Sequence, residues 1–290
     1  MRRALLVLVL VLALDGCGGG DEGGKENPLA EESARLFAYE PSQTLTVSEG
    51  ETVTDLLYTI SGMSFASPGG DRVTGLVARP GLERRGAPGV IFMHGSGGTR
   101  VDFVDEAAML AARGVVAMTI DSPFSRSPRE DVRAGYGDDA TVRRLLVQNV
   151  KDLRRGLDVL IDHYGVDPER TALVGYSMGV QAAALAAAVD PRVDAVVLMA
   201  GRAHPSGPEG QRQAIFAELD TVHYVDHLAP ARVLFQGGSN DEIVERSEME
   251  ELFAAASDPK EIRWYQAGHG LGLKAQRERI DWLSDAFSLR

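Results

Sequence analysis

Gly-Tyr-Ser-Met-Gly at residues 175–179 joins an apolar stretch at 172–175 to an alanine-rich stretch at 178–189. A serine between two glycines, placed where a strand turns into a helix, is the pattern of a nucleophile elbow. The turn is sharp and strained, and side chains two residues before and after the serine would clash in it. The motif therefore predicts Ser177 as a nucleophile at the end of a strand.

Short apolar stretches and amphipathic stretches alternate on both sides of this motif. They predict strands at 89–93, 115–120, 172–175, 193–200, 233–236 and 262–265, and helices at 101–113, 140–164, 178–189, 244–256 and 277–289. This alternation indicates a mostly parallel sheet with helices on both faces. The patterns at 44–47, 52–60 and 73–78 predict antiparallel strands at one edge. We therefore predict one α/β domain at 43–290, in which the long connection 201–230 forms a short cap.

A second glycine-rich motif, His-Gly-Ser-Gly-Gly at residues 94–98, directly follows the predicted strand at 89–93. Such a turn lets backbone N–H groups point into a cavity, where they can stabilise the oxyanion of an acyl-transfer reaction. The amides of Gly95 and Ser96, together with that of Met178, are the candidates. A phosphate-cradling loop is the alternative, but the Lys-Ser/Thr ending of a P-loop and the spacing of a dinucleotide fingerprint are both missing.

A serine nucleophile needs a general base, and the chain has six histidines. His269 follows the predicted strand at 262–265, so it is expected at the same sheet edge as Ser177. His223 and His227 are four residues apart and would share a helix face, but they lack the adjacent Glu of zinc proteases. We therefore predict His269 as the base, and neither a metal nor an organic cofactor.

The base in turn needs a carboxylate that fixes its tautomer and stabilises its charged form. Asp241 lies beyond the predicted strand at 233–236, again at a carboxyl end, and we predict it as this acid. The neighbouring Glu242 is the alternative.

The order Ser177, Asp241, His269 is the nucleophile–acid–base order of α/β-hydrolases. The chain from about residue 50 to 290 resembles that superfamily, and within it the dienelactone hydrolase-like and acetylxylan-esterase-like branch. The resemblance is carried by residues 94–98, 175–179, 237–244 and 268–269. It implies the α/β-hydrolase fold and these three residues as the catalytic triad. Dienelactone hydrolases proper use a cysteine nucleophile, so the serine argues against that specific activity.

Substrate contacts are expected near the nucleophile and in the loop after the strand at 115–120. We expect His94, Tyr176 and Phe124 to bind the substrate. The same loop carries three arginines that we expect in solvent rather than against an anionic acyl group: Arg126, Arg129 and Arg133.

The composition excludes several classes of protein. With one cysteine in 290 residues, neither an intramolecular disulfide nor a tetrathiolate zinc site can form. A formal net charge of −12 argues against a nucleic-acid partner, which requires a basic face.

The single cysteine, Cys17, follows an apolar run at 4–14 that is short for a membrane span and typical of a signal peptide. Leu-Asp-Gly-Cys at 14–17 resembles a bacterial lipobox, which implies cleavage after residue 16 and lipidation of Cys17. We therefore predict a signal peptide at 1–16, a flexible tether at 17–42, and an exported protein anchored to a membrane of the cell envelope. An ordinary secretory signal is the alternative.

These expectations combine into a serine esterase that cleaves a small-molecule carboxylic ester through an acyl-enzyme. A peptidase resembling the prolyl oligopeptidases would use the same triad. A catalytically inactive binding module on the same scaffold is the other alternative. The sequence indicates neither the ester nor the oligomeric state.

Overall fold

The computed structural model describes residues 35–82, 85–128, 138–205 and 215–289. Its strands are β1 Ser48–Thr54, β2 Tyr58–Ala66, β3 Arg72–Pro80, β4 Gly89–Met93, β5 Val116–Ile120, β6 Thr171–Tyr176, β7 Val193–Met199, β8 Arg232–Gly238 and β9 Lys260–Tyr265. Its α-helices are α1 Val104–Ala111, α2 Asp139–Asp158, α3 Met178–Val189, α4 Arg246–Ala255 and α5 Gly272–Ala286, and a π-helical segment, Val159–His163, continues α2. The predicted signal peptide, Cys17, Arg129 and Arg133 lie outside the described residues.

The nine strands form one sheet in the order β1-β2-β3-β5-β4-β6-β7-β8-β9. The six strands from β5 to β9 in this order pair in parallel, whereas β1, β2 and β3 add antiparallel strands at one edge. Every residue of β4 and β5 is buried, as expected for parallel strands covered on both faces. The sheet and its order confirm the predicted α/β-hydrolase fold class.

Two apolar clusters, one on each face of the sheet, hold the helices in place. The cluster on one face includes Leu153 of α2, Leu185 of α3 and Leu252 of α4. The opposite cluster includes Leu110 of α1 and Leu283 of α5. None of the helices within the described residues is long and apolar enough to cross a membrane.

The structure corrects the predicted strands near the amino terminus. The stretch 52–60, predicted as one strand, is divided between β1 and β2 by a turn. Asp55 makes this turn, because its Oδ1 accepts a hydrogen bond from the Leu57 N–H at 3.2 Å and its own N–H donates to Tyr58 O at 2.9 Å. Side chains of Asp commonly favour turns by bonding the backbone two residues ahead. Residues 44–47, also predicted as a strand, precede β1 without belonging to it.

The packed part of the chain begins before the predicted boundary at residue 43. Phe37 is fully buried, with its ring 6.2 Å from that of Tyr224. Arg154 of α2 donates to Phe37 O at 2.9 Å, and Arg155 donates to Pro41 O at 3.1 Å. Residues 37–41 therefore lie against the carboxyl-terminal end of α2.

Candidate active site

Ser177 occupies the turn between β6 and α3 with φ 53° and ψ −118°, a backbone conformation that is strained for any residue other than glycine. The turn needs both flanking glycines. A Cβ on Gly175 would lie 2.4 Å from Gly179 O, and one on Gly179 would lie 2.4 Å from Met93 O. The Ser177 N–H donates to Met199 O of β7 at 2.8 Å, which fixes the turn against the sheet. This is the geometry of a nucleophile elbow.

The three residues predicted as a triad meet at the carboxyl ends of β6, β8 and β9. His269 Nε2 lies 2.9 Å from Ser177 Oγ, and His269 Nδ1 lies 2.8 Å from Asp241 Oδ2. Asp241 is therefore the partner of the imidazole, while Glu242, the alternative, is exposed. The distances allow a proton to pass from the serine hydroxyl to the imidazole.

The surroundings of Asp241 keep its carboxyl ionised. Burial alone would raise its pKa, but hydrogen bonds from His269 and from the backbone N–H groups of Val244 and Ile243 outweigh burial and lower the pKa. These amides donate to Oδ1 at 3.0 and 2.8 Å. Since an ionised carboxylate can only accept, His269 Nδ1 carries the proton and Nε2 accepts from the Ser177 hydroxyl.

The loops that carry the acid and the base are joined by backbone hydrogen bonds. The Asn240 N–H donates to Ala267 O at 3.0 Å, and the Ser239 N–H donates to Tyr265 O at 2.8 Å. The loops approach so closely that a Cβ on Gly238 would lie 2.5 Å from Gly268 O. This contact explains why β8 ends in glycine.

The His-Gly-Ser-Gly-Gly loop passes over the nucleophile. A Cβ on Gly95 would lie 3.1 Å from Ser177 Cβ, so the backbone approaches the serine as closely as glycine permits. Met178 opens α3, and the first-turn amides of a helix have no acceptor within the helix itself. The amides predicted for an oxyanion hole thus belong to segments that adjoin Ser177.

A comparison with models of protein families matches residues 73–284 to the dienelactone hydrolase family. The match covers well over half of the chain. The chain belongs to the dienelactone hydrolase family. It is therefore an enzyme of the α/β-hydrolase superfamily, as predicted. A search of curated proteins finds no match.

Solved structures with the same fold include esterases and a peptidase. An acetyl xylan esterase from a Paenibacillus species is 20% identical with a TM-score of 0.72, covering 89% of this chain and 92% of its own. Acetyl xylan esterase 1 from a Thermoanaerobacterium species is 16% identical with a TM-score of 0.72, covering 89% and 93%. A structure from a study of two prolyl endopeptidases is 16% identical with a TM-score of 0.66, covering 81% of this chain but 39% of its own. At these identities the likeness shows the fold alone.

In this dienelactone hydrolase family member, His94 is a structural residue and not the predicted substrate contact. Its ring is 2% exposed, and Nε2 accepts the Ser122 N–H at 3.0 Å. Nδ1 therefore carries the proton and donates to Gly95 O at 2.8 Å. Burial, which outweighs the hydrogen bond to Gly95, lowers the pKa of His94, so the neutral ring ties the glycine-rich loop to the loop after β5.

Two further expectations for the loop after β5 need correction. Phe124 was expected at the substrate but is 1% exposed and belongs to the apolar core. The Arg126 side chain, expected in solvent, is only 8% exposed. It donates to Asp152 Oδ2 at 2.7 Å and to Asp121 O at 2.6 Å. Both side chains therefore hold the loop after β5 in place, Phe124 through the apolar core and Arg126 through its hydrogen bonds.

Tyr176 differs from these residues because its partly exposed ring lies next to the base. The centres of the Tyr176 and His269 rings are 5.2 Å apart, with a tilt of 44°. The Tyr176 ring also approaches Gly95, where a Cβ would lie 3.1 Å from Cδ1. This position remains compatible with the predicted substrate contact.

A cavity of about 200 Å³ adjoins Ser177 and is partly lined by the predicted cap. Arg202 and Thr221, both in the predicted cap at 201–230, contribute to its wall, with Met178 and Val244 on other sides. The described parts of the cap contain three single-turn helices: Ala217–Leu219, Thr221–His223 and Val225–His227. Arg202 and Thr221 were missed in the sequence because they lie in an irregular connection, whose length was the only signal.

His223 and His227 lie on two different single-turn helices, so they do not share a helix face. His227 Nε2 is 3.1 Å from Asp226 Oδ1, and the His223 ring faces His204 with ring centres 6.3 Å apart. Within the residues that the structure describes, no three His, Cys, Asp or Glu side chains form a metal site.

Proposed function

We propose that this protein hydrolyses carboxylic esters of small molecules through an acyl-enzyme on Ser177. The observation that carries the proposal is the continuous relay from Asp241 through His269 to Ser177, with contacts of 2.8 and 2.9 Å. Membership in the dienelactone hydrolase family supports hydrolysis. The acetyl xylan esterases among the structural neighbours favour an ester as the substrate.

In the first half of the reaction Ser177 Oγ attacks the ester carbonyl carbon, and His269 Nε2 takes the hydroxyl proton. The negative charge that forms on the carbonyl oxygen is stabilised by backbone N–H groups, for which Met178, Gly95 and Ser96 are the candidates. The imidazolium then donates its proton to the leaving alkoxide. The alcohol departs and the acyl group stays on Ser177.

In the second half a water molecule repeats the attack. His269 Nε2 takes a proton from the water as its oxygen adds to the acyl carbon, and then returns the proton to Ser177 Oγ as the carboxylic acid leaves. Asp241 stays ionised throughout and stabilises the imidazolium formed in each half. No redox step or further co-reactant is needed.

The experiment is hydrolysis of short p-nitrophenyl esters together with labelling by a fluorophosphonate. We expect turnover and labelling for the natural chain and neither for Ser177→Ala. Ser247→Ala, at an exposed position of α4, is the matched control and should behave as the natural chain. Absence of turnover together with an unlabelled Ser177 would contradict the proposal.

The two alternatives give different results in the same assays. A peptidase would cleave aminoacyl amides with kcat/KM values comparable to those of the matching esters, whereas we expect the esters to dominate. A binding module would retain ligand without any acylation of Ser177. A complete relay that bonds the nucleophile supports an enzyme over this second alternative.

We also propose that Cys17 is lipidated and anchors the exported protein to a membrane. The lipobox-like residues 14–17 and the apolar run before them support this proposal. Metabolic labelling with palmitate should mark the natural chain and not Cys17→Ala. Equal labelling of both chains would show that the cysteine is not the attachment site.

A further inference from the structure

An apolar groove lies at the end of the molecule opposite the catalytic triad. Leu56 and Leu57 occupy the turn between β1 and β2, and Leu82 follows the end of β3. These three leucines line one groove. β3 runs antiparallel to β5, so its last residues lie beside the start of β5. The groove therefore lies at the amino ends of the parallel strands, whereas the triad lies at their carboxyl ends.

The leucines of this groove project far into solvent. Leu56 is 92% exposed, Leu82 78% and Leu57 57%. The Gly81 N–H donates to Leu57 O at 2.8 Å, which joins the two loops that carry the leucines. Single exposed apolar side chains are common on protein surfaces, but a contiguous group of them marks an interaction site.

The chain enters the described fold at this same end of the molecule. Phe37 O accepts a hydrogen bond from Arg154 at 2.9 Å, and Tyr39 OH donates to Asp158 Oδ2 at 2.9 Å. Both partners lie in the last five residues of α2, whose carboxyl-terminal end leads to the start of β6. The direction along the chain towards Cys17 therefore leaves the fold at the end that carries the leucines.

An anchor at Cys17 would keep a bilayer within reach of this end. Residues 18–34 separate Cys17 from the first described residue. A fully extended chain spans about 3.3–3.6 Å per residue, so this segment reaches about 60 Å at most. A covalent link of such a length gives an effective concentration of roughly millimolar order. A contact too weak to bind a free protein can therefore form in an anchored one.

Charge favours a lipid surface over a second copy of the chain as the occupant of the groove. Two copies with a formal net charge of −12 repel each other. A zwitterionic bilayer carries no net charge, and apolar side chains can enter its interface without that repulsion. The described part of the groove wall contains one charged residue, Arg113, and it is paired with Asp281 at 2.8 Å.

We propose that the groove formed by Leu56, Leu57 and Leu82 docks onto the bilayer that holds the lipidated Cys17. The three side chains enter the boundary between headgroups and acyl chains. The inference rests on the proposed lipidation of Cys17 and adds an orientation to it. The triad, at the opposite end, faces away from the bilayer towards esters dissolved in water.

The test measures whether a tryptophan placed in the groove contacts acyl chains. The full chain, purified with its anchor, is reconstituted into phosphatidylcholine vesicles with or without bromine on the acyl chains, because bromine quenches nearby tryptophans. Leu56→Trp is the probe, and the natural chain gives the background from Trp264 and Trp282. We expect bromine to reduce the emission of the introduced tryptophan about twofold, since interfacial apolar side chains lie about 5–10 Å deep.

Leu273→Trp is the matched control, because Leu273 is also exposed, at 68%, but lies in α5 directly after the His269 loop. Bromine should leave its emission unchanged. Quenching of Leu56→Trp should persist at high salt, because an apolar contact does not depend on charges that salt screens. Adding Leu57→Ser and Leu82→Ser should weaken that quenching.

The other outcomes overturn the proposal and separate it from the lipidation. Vesicles that carry the chain without quenching at residue 56, or with equal quenching at 56 and 273, would refute the docking and leave the anchor intact. A dimer in detergent that Leu56→Ser with Leu82→Ser makes monomeric would assign the groove to a second copy. If Cys17→Ala floated with the vesicles as the natural chain does, or neither floated, the lipidation would fail, and the docking with it.

Discussion

At the scale of single residues, Asp241 controls which nitrogen of His269 carries the proton. Its lowered pKa keeps it ionised at neutral pH, and as an ionised acceptor it holds the Nδ1 proton of His269. Asp241→Asn places an amide there, which can favour the wrong tautomer. We expect kcat to fall by about 10⁴-fold, the loss that this change causes in a known Ser-His-Asp triad.

The control for this change is Glu242→Gln, because Glu242 is the adjacent carboxylate and is exposed. Ester hydrolysis should be unaffected by it. Steady-state kinetics on one p-nitrophenyl ester measures both variants. Equal losses in the two variants would mean that the carboxylates act only through the general negative charge of the loop.

Gly179 decides how closely α3 approaches the sheet. A Cβ at this position would lie 2.4 Å from the Met93 carbonyl oxygen, a backbone atom that cannot rotate away. Gly179→Ala should therefore displace the start of α3 and with it Ser177. We expect about 1–3 kcal/mol of lost stability and about 10²-fold lower kcat.

Gly62 of β2 is the matched control for this substitution, because its Cβ would have no atom closer than 4.0 Å. Gly62→Ala should retain full activity. Urea denaturation and ester hydrolysis measure both variants. A Gly179→Ala protein with normal kcat would show that α3 and the elbow can shift independently.

Residue-scale prediction from sequence succeeded where a motif fixes the geometry and failed where contacts come from distant segments. Ser177 and His269 could be placed because each follows an apolar strand, and parallel strands bring their carboxyl ends together. Arg126 could not be placed, since its partner Asp152 lies on α2 and no local pattern predicts that pair. Thr221, in the wall of the cavity, was missed because it lies in an irregular connection whose length was the only signal.

At the scale of secondary-structure elements, a buried ion pair joins α1 to α5. Arg279 of α5 donates to both carboxylate oxygens of Glu106, at 2.9 and 2.5 Å, and to Gln236 Oε1 of β8 at 2.6 Å. The two charged side chains are 3% and 8% exposed. Arg279 therefore holds α5, the helix after the His269 loop, against both α1 and β8, the strand before Asp241.

Removing one charge of this pair should be costly. Glu106→Gln leaves the Arg279 guanidinium buried without its counter-ion, and we expect the free energy of unfolding to fall by about 3–5 kcal/mol. Glu250→Gln breaks the exposed pair with Arg246 on α4, where both side chains are more than half exposed. That variant should lose less than about 0.5 kcal/mol, and chemical denaturation would distinguish the two.

Some element boundaries were predicted well and others were not: the helices predicted at 101–113 and 277–289 are Val104–Ala111 and Gly272–Ala286 in the structure. The helix predicted at 178–189 matches α3. The boundary between β1 and β2 was missed because the turn at Asp55 lies within a continuous alternating pattern. The antiparallel strands near the amino terminus were thus predicted, but their boundaries were not.

At the scale of the whole molecule, the segment before β1 is bound to the rest of the fold through a titratable contact. Tyr39 OH donates to Asp158 Oδ2 of α2 at 2.9 Å. Burial, with the charge of Asp158 and this hydrogen bond, raises the pKa of Tyr39 to about 12. The folded state therefore retains the phenol proton at a pH where the unfolded chain loses it.

The sign of the pH effect follows from this raised pKa. The contribution of Tyr39 to stability is complete below about pH 10, the ordinary pKa of tyrosine, and is lost as the pH rises towards about 12. In Tyr39→Phe the unfolding free energy should fall less between these values than in the natural chain. The unfolding free energy of Tyr39→Phe should still decline over this range, because the pKa of Tyr265 is also raised to about 12. Identical slopes for the two proteins would show that residues 37–41 do not stay docked.

The positions of the triad along the chain have a consequence for biosynthesis. His269 follows the last strand and lies 92 positions after Ser177. A growing chain thus contains its nucleophile long before its base, and the relay closes only once β9 has joined the edge of the sheet beside β8. We expect newly made molecules to remain inert towards esters until the last part of the chain has been synthesised and folded.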